Sequence, residues 1–428
     1  VVAATAGATR DDRRFPKWHH RGMTELVDLA DVRAARDLLA GVTRTTPLEP
    51  SRPLTAALGG PVWLKCEHLQ RAGSYKVRGA YVRISRLGPA ERARGVVAAS
   101  AGNHAQGVAL AAGLVGTAAT VFMPINAPLP KVAATKGYGA RVELAGATVD
   151  ESLLAAREFA ERTGAVFIHP FDHRDVIAGQ GTLALEILEQ CPDVRTIIAG
   201  IGGGGLISGL AVATKAVRPD VRLVGVQADG AAAFPPSLRA GAPVRLPSYS
   251  TIADGIAVGC PGDLTFAHVA KLVDEVVTVS EEDISRALLM LLERTKQVVE
   301  PAGAVGVAAL ISGAVRVETP AVVVLSGGNI DPLLLLRVIE HGLAAAGRYL
   351  RLTVRCSDRP GQLASLLSQI AEHRGNVVDV EHQRHDPHLR LGEVGVALSV
   401  ETRGAEHSDR LVRALRASGY QVSIAEPV

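Results

Sequence analysis

The stretch TIIAGIGGGGLISG, residues 196–209, passes from a β-branched run into a glycine cluster and on into an apolar helical pattern. A short buried strand, a glycine loop and a helix start make one step of an α/β sheet. The loop exposes successive backbone N–H groups at a helix N-terminus, a nest for a compact phosphate dianion. The same residues fit the GxGxxG pattern of dinucleotide-binding folds. Four consecutive glycines exceed that fingerprint, however, and Gln227 in GVQADG stands where its acidic residue is expected. A nicotinamide oxidoreductase is therefore set aside in favour of a phosphate nest.

Outward from this step, short Val/Ile-rich runs alternate with helical patterns between residues 60 and 330. Strands are expected at 62–65, 96–98, 120–123, 141–144, 165–168, 196–199, 222–227 and 321–325. Such alternation reads as α/β with mostly parallel sheet, and glycine clusters follow several strands at the ends where open sheets place ligands. Aromatic residues are 4% of the 428, so the core must be built from Ala, Val, Leu and Ile. A net charge of +3 with neutral histidines argues against a nucleic-acid partner. Cys66, Cys191, Cys260 and Cys356 stand far apart, which suits a reducing, cytoplasmic setting better than a disulfide framework. No apolar run is long enough to span a membrane. Residues 1–22 are polar and aperiodic and read as a flexible tail or an upstream-start artefact. Met23 opens a pattern in which Leu26, Leu29, Val32 and Ala35 recur at helical spacing.

Three further motifs carry candidate chemistry. In SYKVRGA (74–80), Lys76 stands between a loop and a helical stretch. A lysine there is ordinarily a solvated helix-start residue, but small and polar neighbours suit a Schiff-base lysine that a cofactor aldehyde can reach. In ASAGNHAQG (99–107), Ser100, Ala101 and Gly102 precede an Ala-rich helix whose free N–H groups suit a carboxylate. Asn103 can offer its amide to a ring hydroxyl. An ordinary capped turn would look much the same. In LSGGN (325–329), Ser326 follows the last hydrophobic strand at its cleft end, where a plain tight turn is the other reading.

In this order, with WLKCEHLQ, VIAGQGT (176–182), TIADGIAV (251–258) and VEPAGAVG (299–306), the motifs strongly resemble the threonine dehydratase branch of the fold-type-II pyridoxal-phosphate enzymes. The resemblance runs from Leu48 to Asp331. It implies two open, mostly parallel sheets, the smaller domain inserted in the larger, and pyridoxal 5'-phosphate as cofactor. It makes Lys76 the residue that carries the cofactor and acts as base at Cα. Asn103 matches the partner of the ring hydroxyl, Gly202, Gly203, Gly204 and Gly205 the phosphate loop, and Ser326 the contact of the pyridine nitrogen. Ser100, Ala101, Gly102 and His104 match the loop that receives the substrate carboxylate. Lys65 is not a site residue. The implied reaction is β-elimination of L-threonine, followed by hydrolysis, to 2-oxobutanoate and ammonia, with side activity on L-serine. Serine or threo-3-hydroxyaspartate dehydration or racemisation on the same scaffold, and a non-catalytic amino-acid sensor, are the alternatives. Relatives resembling serine racemase place a second serine where Ala101 stands, and a methyl moves no proton. Relatives that bind a divalent ion use carboxylates where Gln227 and Ala233 stand, so no divalent metal is expected, a monovalent ion being left open.

After Gly347 the pattern changes to βαββαβ in about eighty residues, an α+β unit of ferredoxin-like type. It resembles an ACT domain, the small amino-acid-sensing module, with Asp358-Arg359-Pro360-Gly361 as its strand-to-helix loop. Its first helix is expected over 358–375, entered through Pro360. The resemblance implies an amino-acid effector, isoleucine or valine, of the kind that fits isoleucine biosynthesis, and a homo-oligomer, dimer or tetramer. The expected organisation is a tail at 1–22, a catalytic domain at 23–340 with the smaller unit at 75–165, a linker at 341–348 and the regulatory unit at 349–428. His382, His385 and His388 have metal-like spacing, but Asp386-Pro387 marks a turn and a solvated hairpin is the better reading.

Overall fold

Among the described residues, nine of the ten strands before residue 340 pair in parallel with a neighbour. The central ones are buried on both faces, as their Val/Ile-rich composition requires. The computed structural model describes residues 26–345, 347–384 and 389–424. The expected tail, Met23, His385 and His388 lie outside them. The large sheet holds β1 (Leu48–Pro50), β2 (Val62–Lys65), β7 (Thr196–Gly200), β8 (Arg222–Ala228), β9 (Glu275–Val279) and β10 (Ala321–Val324), in the order β1-β2-β10-β7-β8-β9. Only β1 runs antiparallel to its neighbour. Between β2 and β7 the chain leaves to build the small sheet from β3 (Val96–Ala99), β4 (Ala119–Met123), β5 (Arg141–Leu144) and β6 (Val166–Phe167), all parallel, in the order β5-β4-β3-β6. The smaller unit is thus inserted in the larger. β1 and β9 were not expected from the sequence. β1 has three residues and ends in proline, and β9 is a half-exposed edge strand without clean alternation. β6 is two residues long where four were expected.

The poverty in aromatic residues has a packing consequence. The core clusters around the large sheet are Val, Ile, Leu and Ala, with Phe234 and Phe266 the aromatic members among buried residues. Helices compensate by approaching closely at glycines. A Cβ on Gly179 would lie 2.6 Å from the Cα of Gly79, where helix Arg174–Gln190 crosses helix Lys76–Ser85. One on Gly209, in helix Gly205–Val217, would lie 2.5 Å from the Gly181 nitrogen. The VIAGQGT motif therefore serves two helix crossings and touches no reacting group.

β11 (Tyr349–Ser357), β12 (Asn376–Gln383), β13 (Glu393–Glu401) and β14 (Gln421–Ile424) form an antiparallel sheet in the order β12-β13-β11-β14. Helices Gln362–Glu372 and Ala405–Ala417 supply apolar residues to the same cluster, among them Leu366, Ile370, Leu411 and Leu415. This is the expected βαββαβ arrangement. The first helix starts later than Pro360 suggested, because Gly361 takes φ +89 and separates the proline from the helix. Helix Pro332–Ala345 also runs further than expected, so 341–345 of the expected linker are helical. Among the described residues no helix is long and apolar enough to cross a membrane.

Candidate active site

The glycine loop leaves the carboxyl end of β7 and enters helix Gly205–Val217. Gly204 takes φ +100, and a Cβ there would lie 2.8 Å from that of Thr265. A Cβ on Gly203 would sit 2.4 Å from the Phe171 ring. Thr265 Oγ1 donates to the Gly203 carbonyl at 2.6 Å, which holds the loop from its other side. The N–H groups of Gly202, Gly203, Gly204 and Gly205 have no acceptor among the described residues. Four donors on a backbone that excludes side chains make a cup for an anion.

Lys76 opens helix Lys76–Ser85. Its Nζ donates to the Pro170 carbonyl at 3.1 Å and lies 5.4 Å from the centre of the Tyr75 ring. Pro170 and Phe171 thus tie the lysine to the glycine cup. Burial pushes the Lys76 amine down to about 8, against the opposing pull of Glu300. An amine in that range is available as a base and nucleophile at neutral pH.

Asn103 begins helix Asn103–Val115. Its Nδ2 donates to Glu300 Oε1, and its Oδ1 accepts from Asn329 Nδ2 at 2.8 Å. Both faces of the amide are therefore fixed. Glu300 is a site residue that sequence reasoning missed, although a lone carboxylate in the run VVEPAGAVG was a signal. Burial pushes it up to about 7, Asp254 adds to the rise, and Lys131, Asn103 and Lys76 oppose it. Lys131, from the small-sheet side, is buried and ion-paired to Asp254 of the large-sheet turn Asp254–Ile256. That pair ties the two sheets' elements beside the Asn103–Glu300 contact.

Ser326 is buried after β10, and its Oγ makes one long contact, 3.5 Å to the Ala302 carbonyl. The loops 72–76 and 325–329 are zipped together. Tyr75 N donates to Ser326 O, and Gly328 N to Gly73 O. Ser100 Oγ accepts from Gly102 N at 3.1 Å. Ala101 and Gly102 follow half-buried, and the N–H groups of Asn103, His104 and Ala105 meet no acceptor among the described residues. His104 Nε2 donates to the Ile168 carbonyl at 2.9 Å, and burial with nearby Lys76 pushes its imidazole down to about 3. A neutral ring with one nitrogen engaged has no ring donor left, so the backbone N–H groups are the free donors of this loop.

Lys65 lies elsewhere. It bonds Glu186, Gln190 and the Thr46 carbonyl, within a buried network that also contains Glu67 and Arg78. The Gln227 amide donates to the Ile201 and Ala231 carbonyls and accepts from Phe234 N, which uses it to brace the glycine loop.

These residues fit an aldehyde cofactor with a phosphate arm. They supply a depressed lysine, a cup of free N–H donors and a buried hydroxyl with little internal bonding. A model of the pyridoxal-phosphate dependent enzymes matches residues 39–327. The chain belongs to that family. An ACT domain matches residues 350–419. The L-threonine ammonia-lyase of Thermotoga maritima is 47% identical over 93% of this chain and 100% of its own length. Its namesake from Geobacter sulfurreducens is 47% identical over 92% and 98%. Among solved structures, the processed form of threonine deaminase isoform 2 from Solanum lycopersicum superposes with a TM-score of 0.69 at 37% identity, covering 74% of this chain and 94% of that one. Maize serine racemase superposes at 0.70 with 39% identity, over 75% and 99%. The family's cofactor is pyridoxal phosphate.

Proposed function

We propose that this enzyme is a threonine ammonia-lyase, which eliminates water from L-threonine, lets the resulting imine take a water back up as it releases ammonia, and so gives 2-oxobutanoate; it acts more slowly on L-serine. The observation that carries the reading is Lys76, a buried amine lowered to about 8 and tied through Pro170 and Phe171 to the glycine cup. The threonine specificity is supported by relatives that match nearly the whole chain.

The residues divide the work. The N–H groups of Gly202 to Gly205 bind the phosphate dianion at a helix N-terminus. Bound pyridoxal phosphate supplies the electron sink that acidifies the substrate Cα–H. The N–H groups of Asn103, His104 and Ala105 take the substrate carboxylate and orient Cα toward Lys76, whose neutral amine removes the proton. Asn103, locked by Glu300 and Asn329, positions the ring hydroxyl. Ser326 offers a hydroxyl, which does not force a proton onto the ring nitrogen as a carboxylate partner does. That moderates the sink and favours elimination over transamination. Loss of one methyl discriminates weakly, which is why serine remains a substrate.

Ala101 separates elimination from racemisation. No hydroxyl at this position can return a proton to the opposite face of Cα. Ala101→Ser is expected to raise racemisation of serine, or serine dehydration, relative to threonine dehydration. Chiral chromatography of recovered serine alongside 2-oxobutanoate release measures it, and unchanged ratios would show that Ala101 does not set the outcome.

The C-terminal unit is read as a regulatory domain within a homo-oligomer, sensing isoleucine or valine at the loop Asp358–Gly361. A cavity lined by Asp358, Arg359, Gln362, His382 and Arg384 opens there. Titrating each amino acid against threonine turnover of the full chain separates the two effectors, since only the one with unequal affinity for two states shifts activity. Free thiols at Cys66, Cys191, Cys260 and Cys356 fit a cytoplasmic setting.

A further inference from the structure

The ACT unit carries a second cavity, of about 330 Å³, that shares no lining residue with the one at Asp358–Gly361. The strand register places the two at opposite ends of the sheet. Ser357 pairs with Glu393 at the first, and Tyr349 with Glu401 at the second. The second lies between the carboxyl end of helix Gln362–Glu372 and the start of helix Ala405–Ala417.

Three arginines line it, Arg374, Arg403 and Arg410, against one carboxylate, Glu372. Arg410 makes an exposed i,i+4 pair with Glu406. Arg374 and Arg403 have no ion-pair or hydrogen-bonded side-chain partner among the described residues. Three cations against the carboxylates Glu372 and Glu406 leave a net positive charge here, which an anion offsets.

The backbone adds an independent observation. Arg374 sits at φ +61, the left-handed position that follows a helix and that glycine normally fills. Glycine is available one residue later, at Gly375, so the strained position is held by the residue whose guanidinium the cavity uses.

The cavity is also braced. His407, 7% exposed, accepts from Arg403 N at its Nδ1, 2.9 Å away, and donates from Nε2 to the His373 carbonyl at 2.7 Å. One buried imidazole thus fixes both arginine-bearing turns. Three of the last helix carbonyls are already used, Gln369 by His373 N, Ala371 by Arg374 N and Ile370 by Gly375 N, which reduces the opposing field at this end.

We propose that this cavity is an anion site for a phosphate-bearing small molecule, separate from the amino-acid site and independent of the catalytic assignment. Planar guanidinium forks match phosphate oxygens two at a time. The volume suits a diphosphate or the phosphate chain of a nucleotide. An amino-acid zwitterion would find one carboxylate for its ammonium against three cations.

The test is calorimetric titration of the full-length holoenzyme, whose glycine cup is already filled, with sodium diphosphate at low and high salt. Saturable binding at one per chain, weakening as salt rises, is expected. Arg374→Gly combined with Arg403→Ala is expected to weaken it by about tenfold or more. Arg374→Gly relieves the backbone, so its melting temperature stays level or rises, and lost binding cannot be laid to misfolding. Arg384→Ala, in the other cavity, leaves diphosphate binding unchanged. Parallel titration with ATP separates the sources. Affinity equal to that of diphosphate means the phosphates alone are read, and tighter binding, lost in the double variant, means a nucleotide. Absence of saturable binding by the wild type, an undiminished affinity in the double variant, or loss through Arg384→Ala would each overturn the proposal.

Discussion

Lys76→Ala is expected to lower threonine turnover by about 10⁴-fold or more, because under the proposed assignment it removes both the group that holds the cofactor aldehyde and the base at Cα. The fold should be untouched. The amine has one polar contact, to the Pro170 carbonyl, and burial already disfavours its charge, so its removal leaves no buried ion without a partner. Helix Lys76–Ser85 gains alanine, a good helix former, at its first position. Three measurements distinguish chemistry from damage. Melting temperature stays near that of the wild type. Borohydride reduction before denaturation leaves cofactor attached to the wild-type chain and none to the variant. Added ethylamine restores a small part of the turnover, since a free amine can replace a missing base but not its fixed position. Near wild-type turnover by Lys76→Ala would show that the reading of this site is wrong.

How much of this was legible beforehand depends on whether a residue's role is local. The glycine loop was, because a strand, four glycines and a helix start are contiguous, and their backbone geometry follows from sequence alone. Lys76 and Asn103 each begin a helix and Ser326 lies just past the end of β10, so their gathering on one side of the sheets followed from element-end logic. Glu300 was legible only as a lone carboxylate in the run VVEPAGAVG. Its role arises from meeting Asn103 across nearly two hundred residues of chain, and nothing local announces that. Phe171 and Thr265 were missed for the same reason, since they matter only as the walls against which Gly203 and Gly204 pack. The Lys131–Asp254 pair joins elements of different sheets, and although Asp254 lies in the TIADGIAV motif, nothing local names its partner. The motif WLKCEHLQ has no mechanism visible in the sequence. The structure gives it one, in Lys65 and Glu67, and that mechanism concerns stability.

Arg78→Met is expected to destabilise the fold by about 3–5 kcal/mol near neutral pH. Arg78 is 1% exposed and its guanidinium is fully committed. Nε and Nη2 take both oxygens of Glu67 at 2.8 Å, and Nη1 takes Glu186 at 2.7 Å with Thr182 at 3.2 Å. Methionine matches much of the volume and none of the charge. Glu186 keeps Lys65, at 2.7 Å, but Glu67, fully buried, keeps only Thr46 within bonding distance. The pH dependence identifies the cause. In the wild type, burial pushes the Glu67 carboxyl up but Arg78 outweighs it and holds the group below its ordinary range. A depressed carboxyl contributes stability above its unfolded pKa, and that contribution is lost as pH falls through the folded value. Without Arg78 the burial effect prevails and the sign reverses. The raised carboxyl then contributes most below the unfolded pKa and loses that contribution as pH rises. The deficit between variant and wild type should therefore narrow as pH is lowered from about 8 toward about 5, which urea midpoints at several pH values measure. Adding Glu67→Leu should recover more than half of the loss, because replacing both partners of a buried pair is far milder than removing one. A deficit independent of pH, with no recovery in the double variant, would mean that Arg78 stabilises the helix by packing rather than by its charge.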